Sequence, residues 1–495
     1  MTPEFAAAYD AGKGALVWTV DVADLETPVA TFLKLAHGQP HSFLLESVEG
    51  GATRGRYSII GMTPDLLWRC QDGKAALNRN ALAAPDAFVA DERPPLESLR
   101  ALVAENRMTL PPGVPPMCGG LFGYLGYDMV RLMERLPAKN QDVLGLPDAI
   151  LMRPTLFAVF DTVKDELTLA VPVYPTPGLP AAQAWAQAQA RIAEAQAALD
   201  RPLPHAAPPV VSPPPDPVAN VERATFEAMV KRMKEYIVAG DIFQAVPSQR
   251  FSAPFPLPPF ALYRALRRTN PSPFLYFLDL GGFSIVGSSP EILVRLRDGT
   301  VTIRPLAGTR RRGATTEEDV KLETELLSDP KERAEHLMLL DLGRNDVGRV
   351  SAIGTVKVTE SFAIERFSHV MHISSNVEGK LKPGLDALDA LVGGFPAGTL
   401  TGAPKIRAME IIEELEPVRR GLYGGCIGYF AADGTMDTCI VLRTAVVKDG
   451  TMYVQAGGGV VADSTPAAEY EESRQKARAL FRAAEEAVRF AATGR

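Results

Sequence analysis

The amino-acid sequence predicts an α+β fold built on antiparallel sheet. Strand-like and helix-like segments come in blocks rather than in strict alternation, which disfavours a doubly wound parallel sheet. Neighbouring apolar runs are joined by tight-turn dipeptides, as in "ILVRLRDGTVTIRP". With 495 residues, 46% of them hydrophobic, the chain can bury a large core and is too long for one small domain.

The elements follow in order. "HSFLLESVE", "RYSIIGM", "TLFAVFD" and "ELTLAVPVY" read as strands punctuated by glycine and proline. "AAQAWAQAQARIAEAQAALD" reads as a helix, with Trp185, Ile192 and Leu199 at helical spacing. Between Pro202 and Pro217, eight of sixteen residues are proline, so this stretch predicts an exposed linker. The division expected is therefore residues 1–200, a linker over 201–219, and residues 220–495. After the linker, Phe226, Met229, Val230, Met233 and Ile237 mark one helical face, and "IFQAVPSQRF" reads as a strand. "FLYFLDL", "FSIVGSS" and "ILVRLRDGTVTIRP" predict an antiparallel meander. Helices are expected from "DPKERAEHLMLLDL", "APKIRAMEIIEELE" and "TPAAEYEESRQKARALFRAAEEAVRF", and strands from "GGCIGYFA", "TCIVLRTAVVK" and "TMYVQAGGG".

Composition excludes several classes. Lysine and arginine number 52 against 59 acidic residues, a net charge of −7, which argues against nucleic acid or an anionic membrane as partner. The four cysteines lie far apart without CxxC spacing, so neither a disulfide scaffold nor a zinc cluster is predicted. No leader-like amino terminus or long uncharged apolar run is found, and the expectation is a cytoplasmic protein.

Two helix starts carry paired carboxylates. Glu332 and Glu335 follow Asp329 and Pro330, and Glu469 and Glu472 follow Pro466, each pair three residues apart and so on neighbouring positions of one face. Asp329 and Glu332 also fit a capping box, an explanation that Glu335 lacks. Two such starts suit a divalent ion that keeps most of its waters, as Mg²⁺ does, although acidic first turns are common for dipole reasons. Glycine-rich turns supply the complement. "GFPAGTLTGAPK" sets Gly398, Thr399, Gly402 and Lys405 before a helix without true phosphate-loop spacing, and "VQAGGGVVADS" sets Gly457, Gly458 and Gly459 after a strand. "GGLFGYLGYD" lacks the downstream acid of a dinucleotide site, so its glycines read as structural. Arg443, inside the apolar run "TCIVLRTAVV", is expected to meet a carboxylate from protein or ligand. His369 and His372, three apart on a strand, face opposite sides and do not form a pair. No serine elbow or activated cysteine supports a protein nucleophile. In "RPLAGTRRRG", Gly308 and Thr309 suggest a loop that approaches an anion closely, while Arg310, Arg311 and Arg312 are expected at a solvated edge.

These segments together resemble the chorismate-utilising enzymes, and among them the large subunits (component I) of anthranilate synthase. The resemblance runs from about Phe226 to the last helix, through "GDIFQAVPSQRF", "NPSPFLYF", "GSSPEILV", "PLAGT", "DPKERAEHLMLLDLGRND", "FSHVMH", "GTLTGAPKIRAMEII", "YGGCIGYF", "DTCIVLRTA" and "QAGGGVVADSTPAAEYEES". It is thinner before the linker, where "FLLES", "RYSIIG" and "GGLFGYLGYD" match. It implies large antiparallel β-sheets packed as a sandwich with helices outside, an N-terminal regulatory region and a C-terminal chorismate-binding domain. It further implies Mg²⁺ at Glu335 and Glu472 with Glu332 and Glu469 close by. Tyr423, Arg443 and the Gly457, Gly458 and Gly459 amides would hold the enolpyruvyl carboxylate. Gly308, Thr309 and Thr399 would line the ring, and His372 would be the catalytic histidine.

The implied reaction is a lyase reaction: ammonia adds beside the carboxylate-bearing ring carbon, the 4-hydroxyl leaves, and pyruvate is eliminated to give anthranilate. Relatives that add water carry a lysine base where this chain has Gln244, and glutamine cannot act as a base. Many aminodeoxychorismate synthases carry an attacking lysine before "GT", where this chain has Ala307. The nearest alternatives are an aminodeoxychorismate synthase large subunit and a non-catalytic tryptophan-sensing subunit, the latter disfavoured because all four glutamates are present. A separate glutamine amidotransferase subunit (component II) is expected to supply ammonia, in a hetero-oligomer. L-Tryptophan is expected as an inhibitor bound by Leu45, Glu46 and Ser47 with Asn270, Pro271, Ser272, Pro273 and Phe274.

Overall fold

A computed structural model describes residues 1–49, 53–203, 212, 214–367 and 370–492. The proline-rich stretch lies partly outside these residues, and so does His369.

The strand pairings are antiparallel throughout and form one continuous hydrogen-bonded network, with an additional two-stranded pair. Apolar alternation along the strands divides the core into three layers. The inner layer consists of strand and loop residues alone, among them Phe43, Ile59, Leu67, Phe122, Ile150, Tyr276, Ile285, Ile427 and Val441. On one outer face, Leu44, Ile60 and Phe277 pack against helices Pro28–Leu35, Ala181–Leu199, Pro259–Thr269 and Pro466–Ala492. On the other, Trp68, Leu151, Leu293 and Val377 pack against helices Pro95–Glu105, Pro330–Val350, Ala387–Gly394 and Lys405–Leu415. Two sheets thus face one another with helices outside, as expected.

The strand Thr53–Gln71 joins the two sheets. Its register with Ala149–Asp161 shifts between Pro64 and Leu66, and Thr63 takes φ +49° there. Before this corner its outward residues, Ile60 and Met62, meet the first helix set; after it Leu66 and Trp68 meet the second. A strand that switches sheets at an irregular residue is how a sandwich turns a corner.

Strands before and after the proline-rich stretch interleave. Ser42–Glu49 pairs with Phe274–Asp279, and Gly120–Leu125 with Cys426–Ala431. The glycines of "GGLFGYLGYD" are structural: a Cβ on Gly123 would lie 2.0 Å from the Ile150 carbonyl oxygen, so only a bare backbone fits between its neighbours.

The meander expectation holds only in part. Phe274–Asp279 pairs with Ser284–Ser289, and Ile292–Arg297 with Thr300–Ile303 across Asp298 and Gly299, both at positive φ as a two-residue hairpin turn demands. But Ser284–Ser289 does not pair with Ile292–Arg297. It pairs instead with Thr444–Lys448, and Ile292–Arg297 pairs with Met436–Ile440. Distant strands of matching apolar pattern outcompete a sequence neighbour, because the two short strands face different sheets. "IFQAVPSQRF" is likewise two strands, Gln244–Ala245 and Ser248–Pro254, divided at Pro247.

Candidate active site

The site forms where the start of helix Pro330–Val350, the start of helix Pro466–Ala492 and several turns converge. "RPLAGTRRRG" supplies one wall. In the pairing of Leu306–Arg311 with Val370–Lys380, Ala307 opposes Ile373 and Arg310 opposes Met371, so Gly308 and Thr309 are bulged out of register. Gly308 takes φ +69°, and its carbonyl accepts a 2.8 Å hydrogen bond from Nδ1 of His372. Thr309 Oγ1 lies 3.1 Å from the same nitrogen. This leaves His372 Nε2 as the lone-pair nitrogen, buried and without a partner among the described residues. Burial, then the nearby Arg443 charge, lowers its pKa to about 4, so the ring is neutral.

The arginines of this stretch correct the expectation of a solvated edge. Arg311 is exposed, but Arg310 bonds Glu332 and the N-cap Asp329, each at 2.9 Å, and Arg312 bonds Asp319 at 2.8 Å. Basic residues flanking the bulge clamp it to the following helices.

Glu291 is a site residue that no motif spacing singled out. It follows "SSP" between two strands and is buried, accepting from Thr399 Oγ1 at 3.2 Å and from the backbone of Leu306. Burial raises its pKa to about 8, so at neutral pH it is a carboxylic acid. The available signal was a carboxylate in a run otherwise too apolar to leave it in water.

Arg443 does not lie inside a strand. Met436–Ile440 and Thr444–Lys448 are separate, and Arg443 sits in the break at φ +48° with its carbonyl bonded by the Ser288 amide at 3.2 Å. Its guanidinium lies near Glu291 but makes no ion pair or side-chain hydrogen bond among the described residues. A desolvated, unpaired guanidinium calls for a carboxylate from outside the chain. Lys405, in contrast, is committed to Asp346 at 2.9 Å.

The glycine turn closes the other end. A Cβ on Gly459 would lie 2.3 Å from Gln244 Nε2, and one on Gly458 would lie 2.9 Å from Glu469 Oε2 and 3.1 Å from Glu472 Oε1. Gly457, Gly458 and Gly459 therefore run between the Gln244 amide and the acidic pair. Gln244 is 2% exposed and its Oε1 has no partner. Tyr423 is buried, bonds the backbone of Gly457, and has its pKa pushed up to about 12 by that burial.

The four glutamates share one electrostatic neighbourhood but differ in commitment. Glu332 is held by Arg310, and Glu472 by Lys476 at 2.7 Å. Burial, then Glu332 and Glu472, raises the Glu335 pKa to about 6. Burial also raises Glu469, whose Oε2 is buried and unpartnered. No three acidic, histidine or cysteine groups among the described residues close on a common point as a finished metal cage. The donor set fits a hard cation held by a few carboxylates, with water and a substrate oxygen completing the shell.

A buried polar network holds these turns. Arg420 bonds Glu416 at 2.6 Å, the Val246 carbonyl at 2.6 Å and the Leu400 carbonyl at 2.7 Å, and its guanidinium lies over the rings of Tyr127 and Tyr423. Glu416 in turn accepts from the amide and hydroxyl of Ser248, each at 2.8 Å.

The two remaining motifs also meet. In the pairing of Ser42–Glu49 with Phe274–Asp279, Ser47 opposes Phe274 and Leu45 opposes Tyr276. Glu46 turns to the other face, where Tyr263, Arg267 (2.9 Å to Oε1) and Ser58 bond its carboxylate. Asn270, Pro271, Ser272 and Pro273 form the connection into that strand.

Fold and site define an enzyme that acts on a small polyanion. The family model of chorismate binding enzymes matches residues 43–482, and the chain belongs to that family. It is 58% identical to anthranilate synthase component 1 of Cereibacter sphaeroides, over 98% of each chain, and 50% identical to that of Pseudomonas putida, over 93% of each. Among solved structures it is similar to anthranilate synthase component I from Streptococcus pneumoniae, 36% identical with a TM-score of 0.76, covering 93% of this chain and 98% of that one.

The Glu335 environment has a measurable consequence. Its folded pKa of about 6 lies above the ordinary 4.5, so the stability that its protonated form confers is full below pH 4.5 and lost as pH rises through about 6. In chelator-treated protein at pH 7, Glu335→Gln is expected to be more stable than wild type by about 2 kcal/mol, with the gain vanishing below pH 4.5. Urea midpoints at the two pH values check it.

Proposed function

We propose that the chain converts chorismate and ammonia to anthranilate and pyruvate, as the large subunit of an anthranilate synthase in tryptophan biosynthesis. The observation that carries this reading is the charge layout of the pocket. An unpaired guanidinium stands at one end, acidic groups with the bare glycine amides running beside them at the other, and a neutral acid and a neutral imidazole between them. Ala307 and Gln244 offer no side-chain amine to attack the ring or activate water, so ammonia is left as the nucleophile.

Arg443 takes the enolpyruvyl carboxylate as a bidentate partner, helped by Tyr423 and the Gly457, Gly458 and Gly459 amides. Gly308, Thr309 and Thr399 line the ring, where the absent Gly308 side chain leaves room for it. Ammonia, oriented by the Gln244 amide, bonds to the ring carbon beside the carboxylate-bearing one. The C4–O bond breaks, Glu291 gives its proton to the departing hydroxyl, and water leaves. The new ammonium group loses a proton, which restores Glu291. His372 Nε2 then accepts the proton of the amino-bearing ring carbon as the neighbouring C3–O bond breaks, the ring becomes aromatic, and the proton passes to the methylene carbon of the departing enolpyruvate, which leaves as pyruvate and restores the neutral imidazole. Glu335 and Glu472, with Glu332 and Glu469 close by, would hold Mg²⁺, which would supply the positive charge that offsets repulsion between these carboxylates and that of the ring. A separate glutamine amidotransferase subunit delivers the ammonia, in a cytoplasmic hetero-oligomer. L-Tryptophan inhibits from the surface of Leu45, Ser47 and Phe274 with Asn270, Pro271, Ser272 and Pro273, and Glu46 supports that surface from behind.

Purified chain incubated with chorismate, Mg²⁺ and ammonium is expected to form 2-aminobenzoate. A 4-amino product or none overturns the reading. At constant free ammonia, kcat is expected to fall as pH rises through about 8, the point at which Glu291 loses its proton. Glu291→Gln should remove that limb and lower kcat by roughly 100-fold or more. Ser47→Arg should abolish inhibition by tryptophan while leaving kcat within about twofold, since only the regulatory surface is changed.

A further inference from the structure

Lys476 stands in the acidic cradle with two partners. Its Nζ is 2.7 Å from Glu472 Oε1, one turn earlier on the same helix, and donates to the Gly457 carbonyl at 2.9 Å. An ordinary i, i+4 pair would hold the glutamate alone. The second bond ties the ammonium to the glycine turn, whose next residue lies against Glu469 and Glu472. The Lys476 charge also reaches Glu335, Glu469 and His372. One side chain thus places a positive charge among three of the four carboxylates assigned to Mg²⁺.

We propose that the Lys476 ammonium is a tethered cation that holds Glu472 until substrate arrives, so that divalent metal binds firmly only together with a dianionic substrate. This rests on the reading of the cradle as a Mg²⁺ site. A free metal ion must compete with Lys476 for Glu472 Oε1 and sit beside its charge. The ring carboxylate of the substrate offers the ammonium an equivalent charge-assisted bond and so frees Glu472. Because linkage is reciprocal, metal tightens substrate by the factor with which substrate tightens metal. Before substrate is bound, the cradle is kept from trapping metal in an unproductive arrangement.

Calorimetric titration of Mg²⁺ into the full chain tests this, without substrate and then with chorismate present and ammonia absent. Substrate-free Lys476→Met is expected to bind Mg²⁺ at least fivefold more tightly than wild type, since a like charge is removed from beside the ion. The tightening produced by chorismate, tenfold or more in wild type, is expected to shrink to about twofold in this variant. Lys476→Arg, which keeps the charge, should stay within about twofold of wild type in both titrations. The side chain is 45% exposed on a helix, so methionine is accommodated without a buried defect. Unchanged or weaker substrate-free binding by Lys476→Met overturns the inference. If neither protein binds Mg²⁺ even with chorismate, the Mg²⁺ reading itself fails.

Discussion

The pocket depends on one desolvated ion pair, Arg420 with Glu416, whose side chains are 2% and 3% exposed. A guanidinium out of water must have its donors paired, and the partners available here are the Val246 and Leu400 carbonyls and the Glu416 carboxylate. Val246 lies two residues from Gln244, Leu400 follows Thr399, and Tyr423 sits under the same guanidinium. Three groups assigned to substrate are therefore fixed by the electrostatic needs of a residue that touches none of it. Tyr127 stacks on the guanidinium from another side, and its neighbour Asp128 accepts from the Gly421 amide at 3.0 Å. The "GYD" of the first half of the chain is thus a structural part of the catalytic pocket.

The same burial acts in opposite directions on the groups it surrounds. It raises Glu291 and lowers His372, and both results are uncharged side chains beside the ring. Charge is confined to the ends, on Arg443 and on the glutamates with Lys476. A dianion can enter such a pocket with its carboxylates meeting charge of opposite sign or a cation-filled cradle, while the chemistry proceeds between neutral acid and neutral base. The separation follows from which positions the sheets enclose and which the helix starts leave near solvent.

Local chemistry in the sequence announced much of this. Asp298 and Gly299 fixed their hairpin, the cap at Asp329 and the proline at 466 marked helix starts, and the spacing of four glutamates outlined the cradle. What stayed hidden depends on partners distant in sequence. The apolar run around Arg443 has the pattern of one strand, yet its two halves pair with Ile292–Arg297 and Ser284–Ser289, which forces a break between them. Glu291 has no neighbour in sequence that explains it; Thr399 and the Leu306 amide, which hold it, are brought there by the fold. Arg310 looked like a surface charge because its partners lie across a turn, at Asp329 and Glu332.

The segment "SSPE" draws the two ends of the molecule together. Ser288 donates its hydroxyl to the Asn270 carbonyl at 2.5 Å and its amide to the Arg443 carbonyl at 3.2 Å. Three residues on, Glu291 enters the pocket, and its amide donates to the Ser289 hydroxyl oxygen at 3.4 Å. Asn270, assigned to an inhibitor, and Arg443, assigned to substrate, are one serine apart, and the acid of the proposed reaction is carried on the same stretch. Ser288 and Ser289 are both fully buried, so this segment has no room to absorb a displacement locally. Ser288 is thus a direct hydrogen-bonded link between Asn270 and Arg443. Inhibition at a distance would then need no path beyond four consecutive residues.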